Sequence, residues 1–228
     1  MKNKKYIVAT IHKWNIDQYN KSLSKLEGNW HLISDPKKLT FEYVNSIQPR
    51  YIFFPHWSVK VDKKITSNFE CVCFHATDVP YGRGGSPIQN LIVRGHKNTV
   101  ITSLQMTDEL DAGPVYFKVP LSLNGIAQEI YERSSKIIFD MINNMVNKEP
   151  KPVPQTGKAT IFKRRTMEQS VVTKQAKTLE ELFDHIRMLD AESYPKAFIE
   201  YGNLRIELTK PKLKNGKLTA ETNIELKK

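Results

Sequence analysis

His75 closes the apolar run Glu70-Cys71-Val72-Cys73-Phe74-His75. In an open α/β sheet, ligand sites lie outside the carboxyl ends of strands. An imidazole at such a point can take up or relay a proton near neutral pH. The turn Gly82-Arg83-Gly84-Gly85-Ser86-Pro87 follows closely. Its glycines permit positive φ and let the backbone come close to a ligand, which makes Gly84, Gly85 and Ser86 candidate substrate contacts. Further along, Asp111 precedes Ala112-Gly113-Pro114. A carboxylate beside His75 would hold the imidazolium and raise its proton affinity, and Asp108 and Glu109 stand near enough in sequence to compete for that role. The plain structural alternatives are a loop histidine and an Asx-type turn.

Other side chains could serve the same site. His56 and Trp57 follow the apolar run Tyr51-Ile52-Phe53-Phe54-Pro55 and should emerge on the same sheet edge as His75. Trp57 could stack on a planar ligand or fill the core. Arg83, Lys163, Arg164 and Arg165 could meet phosphates, because guanidinium forks match phosphate geometry. A solvated basic run is the alternative for the last three. Metal is not expected: the histidines have no partners at ligand spacing, and neither CxxC nor HExxH occurs. The absence of a Walker A or GxGxxG pattern argues against ATP and NAD.

The elements that must position these residues read as alternating strands and helices. Strands are expected over 6–11, 30–34, 51–55, 70–75, 99–105 and 115–119, the last antiparallel to its neighbour because the connection is short. Helical spacing marks 15–27, 39–47 (capped by Thr40 and stopped by Pro49), 87–94 and 124–146. This alternation predicts an α/β fold, a Rossmann-like, mostly parallel sheet flanked by helices. A Pro-rich, basic stretch after residue 148 reads as an extended linker. Beyond it come a helix over 178–189 with Thr178 and Glu181 as a capping box, and two strands, 204–208 and 218–226, around an Asn215-Gly216 turn. The expected organisation is thus a catalytic domain over 1–150, and over 151–228 a linker and a small C-terminal α+β appendage.

The chain has 228 residues and a net charge of +11, with 39% hydrophobic residues, enough for a real core. The basic balance favours anionic partners without choosing among them. No run is long and apolar enough for a membrane span, the basic N-terminus has too short an apolar run for a signal-peptide core, and Cys71 and Cys73 are expected on opposite strand faces, which argues against a disulfide between them. A cytoplasmic protein is expected.

Taken together, an apolar strand ending in His, then x-x-D-x-P-x-G-R-G-G-S-P-x-Q, then Q-M-x-x-x-x-D-x-G-P, resembles the 10-formyltetrahydrofolate-dependent formyltransferase family over residues 50–165. The segments FFPHWSVKV and CVCFHATDVPYGRGGSPIQNL look closest to the sugar-nucleotide N-formyltransferase branch, as do FKRRTMEQS and LDAESYPKAFIEYG in the tail. The resemblance implies an enzyme that moves a formyl group from 10-formyltetrahydrofolate to the primary amine of a nucleotide-linked amino sugar. It implies His75 as the central catalytic residue, by proton transfer or oxyanion contact, with Asp111 orienting it. Phe74, Ala76, Thr77, Gln105, Met106, Asp108, Leu110, Gly113 and Pro114 would line the folate and formyl pocket. Many members carry Asn where Cys73 stands; a thiol is a weak donor, so a backbone N–H or water would fill that role, and Cys73 is kept as a catalytic candidate. The linker and tail would add surface to the acceptor site or to a homodimer contact. A methionyl-tRNA formyltransferase is the rival that the positive charge would suit, set aside because the tail reads as short for a tRNA-contacting domain. Nucleic acid and membrane are therefore not expected partners, although a non-catalytic basic RNA-binding protein is a further alternative.

Overall fold

The computed structural model describes residues 4–23, 26–173, 176–192 and 194–227. The chain order is β1 (Lys5–Ala9), α1 (Lys13–Ser22), β2 (Asn29–Ile33), α2 (Phe41–Ile47), β3 (Tyr51–Phe54), α3 (Lys63–Asn68), β4 (Cys71–His75), β5 (Arg83–Gly84), α4 (Pro87–Val93), β6 (Asn98–Gln105), β7 (Val115–Ser122), α5 (Ala127–Lys148), β8 (Ile161–Phe162), α6 (Leu179–Arg187), β9 (Ala197–Tyr201), β10 (Leu204–Lys214) and β11 (Lys217–Leu226). It forms two compact units. The first comprises Met1–Gly84, Thr99–Leu121 and Glu132–Ile161, and the second Gly85–Asn98, Ser122–Tyr131 and Phe162–Lys228.

The first unit is built on a six-stranded sheet of order β2-β1-β3-β4-β6-β7. The pairs β1–β2, β1–β3 and β3–β4 are parallel and β4–β6 is antiparallel, so the sheet is mixed and mostly parallel, as the alternation of elements predicts. Its central strands are continuous apolar runs because both faces are covered: all four residues of β3 are buried. Alternation sorts them. Ile7 and Ala9 of β1, Ile52 and Phe54 of β3 and Cys71 of β4 join Val44 and Ile47 of α2 and Ile65 of α3 in one cluster. Cys73 packs against that cluster too, so the two cysteines share a face rather than taking opposite ones, since side chains alternate with period two, and both are free thiols; His75, two residues further on, keeps to the same face.

Local signals explain most boundaries. The Thr40 side chain accepts from Tyr43 N at 3.2 Å and so caps α2, a contact of about 1 kcal/mol. Gln48, before Pro49, ends that helix with φ 55°. The expected helix 15–27 is observed as Lys13–Ser22; Ser24 and Lys25 lie outside the described residues. Four elements were not expected: α3, β9 and the two-residue strands β5 and β8. A carboxylate from Asp62 caps α3 by accepting from Lys64 N at 2.9 Å.

In the second unit, Thr178 caps α6 by accepting from Glu181 N at 3.1 Å, and the Glu181 carboxylate accepts from Lys177 N at 2.7 Å. The strands order β11-β10-β9, all antiparallel. Asn215 and Gly216, with φ 50° and 68°, make the tight turn between β10 and β11. Strand β10 runs past the expected Leu208 to Lys214, because a bulge between Thr209 and Lys212 absorbs Pro211 without ending the pairing.

Candidate active site

His75 is the last residue of β4 and lies opposite Thr102 of β6. Its Nε2 stands 2.8 Å from Gly82 O. A carbonyl only accepts, so Nε2 carries the proton and Nδ1 is the nitrogen left to exchange one. Thr77 Oγ1 donates to the same Gly82 oxygen at 3.2 Å, which fixes the turn under the ring. On the other side, Nδ1 faces Asp111 Oδ2 at 3.5 Å, and the two side chains are only 8% and 11% exposed. Asp111 Oδ2 also accepts from Gly84 N at 2.9 Å. The imidazole and carboxylate from two distant segments therefore meet, with one place for a proton between them.

The competing acids are engaged elsewhere. Asp108 pairs with Lys63 at 2.5 Å and Glu109 with Arg83 at 3.3 Å. Asp111 adopts φ 53°, a region that few non-glycine residues occupy. Gly113 is required by space: a Cβ there would lie 1.8 Å from Gln105 O. Gln105 N in turn donates to Pro114 O at 2.9 Å, closing the Gln105–Pro114 loop at its base.

The other expected donor-site residues sort by burial. Phe74 points into the core beside Phe53, with ring centroids 6.4 Å apart. Ala76 O and Thr77 O already accept from Thr99 Oγ1 and Thr102 Oγ1, at 3.1 and 2.7 Å. Met106 and Trp57 pack against the same cluster as Cys73, while Leu110 is exposed. Trp57 Nε1 is buried and has no acceptor among the described residues. Cys73 Sγ donates to Leu104 O at 3.8 Å. Burial, and then the charge of Asp111, push its thiol far above the usual range, so it holds its proton.

His56 goes inward. Its φ of 48° turns the chain after Pro55, and the ring meets Asn15 through Nδ1 at 3.1 Å and Ser134 Oγ through Nε2 at 3.0 Å. Burial, and then the neighbouring His12, push it down to about 3, so it stays neutral. Both ring nitrogens are used in packing the loop after β3 onto α1 and α5. Arg83 is likewise used internally, donating from Nε and Nη2 to Gln155 Oε1 at 3.1 and 2.9 Å.

In the second unit, Ser86, Arg164 and Arg165 line a cavity of about 210 Å³ together with Thr166, Ser170 and Tyr194. Ser86 Oγ accepts from Arg165 N at 3.1 Å and from Tyr194 Oη at 2.7 Å, which leaves its own hydroxyl proton to donate. Arg165 Nη2 donates to Gln169 O at 2.6 Å, while its buried Nε has no acceptor among the described residues. Burial pulls the guanidinium below its usual proton affinity, and among the described residues no carboxylate lines the cavity. Gly85 lets the basic segment approach, because a Cβ there would meet Arg164 Cα at 2.6 Å. Lys163 offers its carbonyl to Asn90 Nδ2 at 3.0 Å and is exposed. Gln155, Thr102 and Tyr194 were not anticipated: each acts through contacts far apart in sequence, which no local pattern marks.

A mixed α/β sheet with a buried imidazole–carboxylate pair at a strand end, and a small antiparallel sheet after it, defines the class of protein. The comparisons narrow it. A solved structure of methionyl-tRNA formyltransferase from Clostridium thermocellum is 46% identical, with a TM-score of 0.93 over 98% of this chain and 99% of its own. The family described as methionyl-tRNA formyltransferase, C-terminal domain, matches residues 167–225. Methionyl-tRNA formyltransferase of Bacillus pumilus is 26% identical over 150 residues, 63% of this chain and 47% of that protein. The chain spans about half the length of the curated relatives it matches. A 4-N formyltransferase structure from Francisella tularensis, 14% identical with a TM-score of 0.69 over 99% of this chain and 98% of its own, shares the fold. The chain belongs to the formyltransferase family.

The sugar-nucleotide branch expected from the sequence is overturned. The similarity of 46% runs to methionyl-tRNA formyltransferase across the whole chain, whereas the sugar N-formyltransferase structures stand at 12–14%. The tail set aside as too short for tRNA is the part that the C-terminal-domain family matches. Among the described residues, no helix is long and apolar enough to cross a membrane.

Proposed function

We propose that this chain transfers the formyl group of 10-formyltetrahydrofolate to the α-amine of methionyl-tRNA. The observation that carries this reading is the 46% identity to the Clostridium thermocellum methionyl-tRNA formyltransferase, which spans catalytic unit and tail alike. The net charge of +11 suits a polyanionic acceptor.

The donor supplies an activated formyl carbon when bound. Trp57, Cys73 and Met106 share one cluster, and the Trp57 indole N–H is a buried donor lacking an acceptor among the described residues. That combination fits a planar heterocycle, which would supply both a stacking face and an acceptor. The loop residues Gln105, Leu110, Gly113 and Pro114 would hold the formyl end near Asp111.

The chain's own chemistry is proton handling. An amine that attacks a carbonyl carbon must lose a proton, and His75 Nδ1 is the open position for it. With Nε2–H tied to Gly82 O, the ring gains its second proton at Nδ1, against the Asp111 carboxylate. The charge of Asp111 stabilises that imidazolium, and Gly84 N–H holds the carboxylate in place. The same proton can then pass to the departing folate nitrogen. Cys73 keeps its thiol proton and takes no covalent part. The cavity of Ser86, Arg164 and Arg165, donors without a carboxylate, suits a phosphate of the acceptor, with Lys163 adding charge.

The test is to incubate the purified protein with 10-formyltetrahydrofolate and initiator tRNA charged with methionine, and to separate formylmethionyl-tRNA. Turnover abolished by His75→Ala is expected. A wild-type protein silent on methionyl-tRNA would sink the reading.

A further inference from the structure

We propose that Gln155 is a positioning residue for the His75–Asp111 pair, an inference that rests on the formyl-transfer reading for its kinetic consequence. Gln155 lies in the Pro-rich segment after α5, far along the chain from either member of the pair. Its Nε2 donates to Asp111 O and to Gly113 O, both at 2.8 Å. Its Oε1 accepts from Arg83 Nε at 3.1 Å and Nη2 at 2.9 Å. One carboxamide thus spends two protons on two carbonyls and two lone pairs on one guanidinium fork.

That pattern demands an amide. A carboxylate has no proton for the two carbonyls, and a cationic side chain has no lone pair for Arg83. Flipping the amide would set oxygen against two carbonyls and NH₂ against a guanidinium, so its orientation is fixed by its partners. Arg83 is bonded to Gly84, whose N–H holds Asp111 Oδ2 at 2.9 Å. The contacts therefore close a ring: Gly84 to the carboxylate, Asp111 O to Gln155, Gln155 to Arg83, and Arg83 back to Gly84. This ring holds Asp111 at its unfavourable φ of 53° and sets the 3.5 Å gap to His75 Nδ1. The Gln155 hydrogen bonds go to Asp111, Gly113 and Arg83, so it acts on His75 through the Asp111 loop.

The test is a cycle of Gln155→Ala, Gln155→Glu, Asp111→Asn and the double variant Gln155→Ala/Asp111→Asn. A displacement near 1 Å of a catalytic group costs about 10- to 100-fold in rate, so Gln155→Ala should lower kcat by about that factor with little change in KM. Gln155→Glu keeps the Arg83 contact but should do no better, because it removes both protons that reach the loop. In the Asp111→Asn background, Gln155→Ala should cost less than about twofold, because its target is already disabled. Losses that multiply in the double variant, a loss confined to KM, or Gln155→Ala at wild-type rate would each overturn the inference. A second readout needs no substrate. In protein carrying ¹⁵N-labelled histidine, the His75 imidazole signals should move in Gln155→Ala with the melting temperature retained. A wild type silent on methionyl-tRNA would defeat the functional reading alone, and unmoved His75 signals would then defeat this one.

Discussion

Replacing Asp111 by Asn separates the carboxylate's charge from its shape. The amide oxygen can still accept from Gly84 N–H, now held at 2.9 Å, so the loop keeps that tie. That same oxygen faces Nδ1, so the imidazole keeps its Nε2 proton toward Gly82 O and meets no negative charge at Nδ1. What is lost is the attraction between a carboxylate and an imidazolium 3.5 Å apart. At an effective dielectric constant of about 20, that attraction is on the order of 5 kcal/mol. Solvent and relaxation will reduce it, and general-base deletions span about 10²–10⁴-fold in rate. We therefore expect kcat to fall about 10³-fold, roughly 4 kcal/mol, with KM little changed. Single-turnover formation of formylmethionyl-tRNA by rapid quench is the right assay, because steady-state rates can report product release instead. Near-isosteric exchange leaves the fold intact, which circular dichroism and thermal melting check. An Asp111→Asn rate within about fivefold of wild type would refute the proton-holding role.

Three further outcomes follow from the same geometry. Cys73→Ala should stay within about threefold of wild-type turnover, because the buried thiol keeps its proton; a 10³-fold loss would instead mark a nucleophile. Gly113→Ala should destabilise by about 3 kcal/mol or more, seen in urea unfolding, since its Cβ would sit 1.8 Å from Gln105 O. His56 carries a pH signature: its folded value near 3 lies below the ordinary 6.5. The unfolded chain therefore binds the extra proton first as pH falls, so stability from this group is whole above 6.5 and lost between 6.5 and 3. The slope is at most about 1.4 kcal/mol per pH unit, and urea unfolding of His56→Gln from pH 7 to 4.5 should lack it.

Local chemistry made some of this readable in the sequence. The run ending in His75, the Gly-rich turn and the Asp-Ala-Gly-Pro turn mark where strands give way to loops, and the caps at Thr40 and Thr178 and the Asn215-Gly216 turn work within a few residues. Alternating elements indicated the sheet but not the β2-β1-β3 order, which side-chain periodicity does not encode. Helix α3 is six residues long, too short to show a 3.6 period. Strand β9 buries Ala197 and Phe198 but exposes the next three residues, so it lacks the alternation that marks a strand. The inward turn of His56 depends on Asn15 and Ser134, 41 and 78 positions away. Gln155 sits among prolines that signal a linker, and only the folded chain reveals it against Asp111 O and Gly113 O.

Acceptor choice escaped the sequence for a related reason. Two of the four segments that pointed to amino sugars surround His75 in sequence, and formyl transfer to any primary amine could use the same imidazole and carboxylate; the other two lie in the tail. Two residues in those segments expected to touch the acceptor are used inside the protein: His56 ties a loop to α1 and α5, and Arg83 braces Gln155. Similarity there reports shared chemistry and packing, which do not discriminate among acceptors. Discrimination must come from contacts to the body of the acceptor, where wrong partners lose charge and hydrogen-bond matches. On the proposed reading, the segment from Arg164 onward, with the cavity at Arg165 and the lysine-bearing strands β10 and β11, would make them. It is also the part that a methionyl-tRNA formyltransferase C-terminal domain matches over residues 167–225, a match that outweighs short motifs taken from either unit.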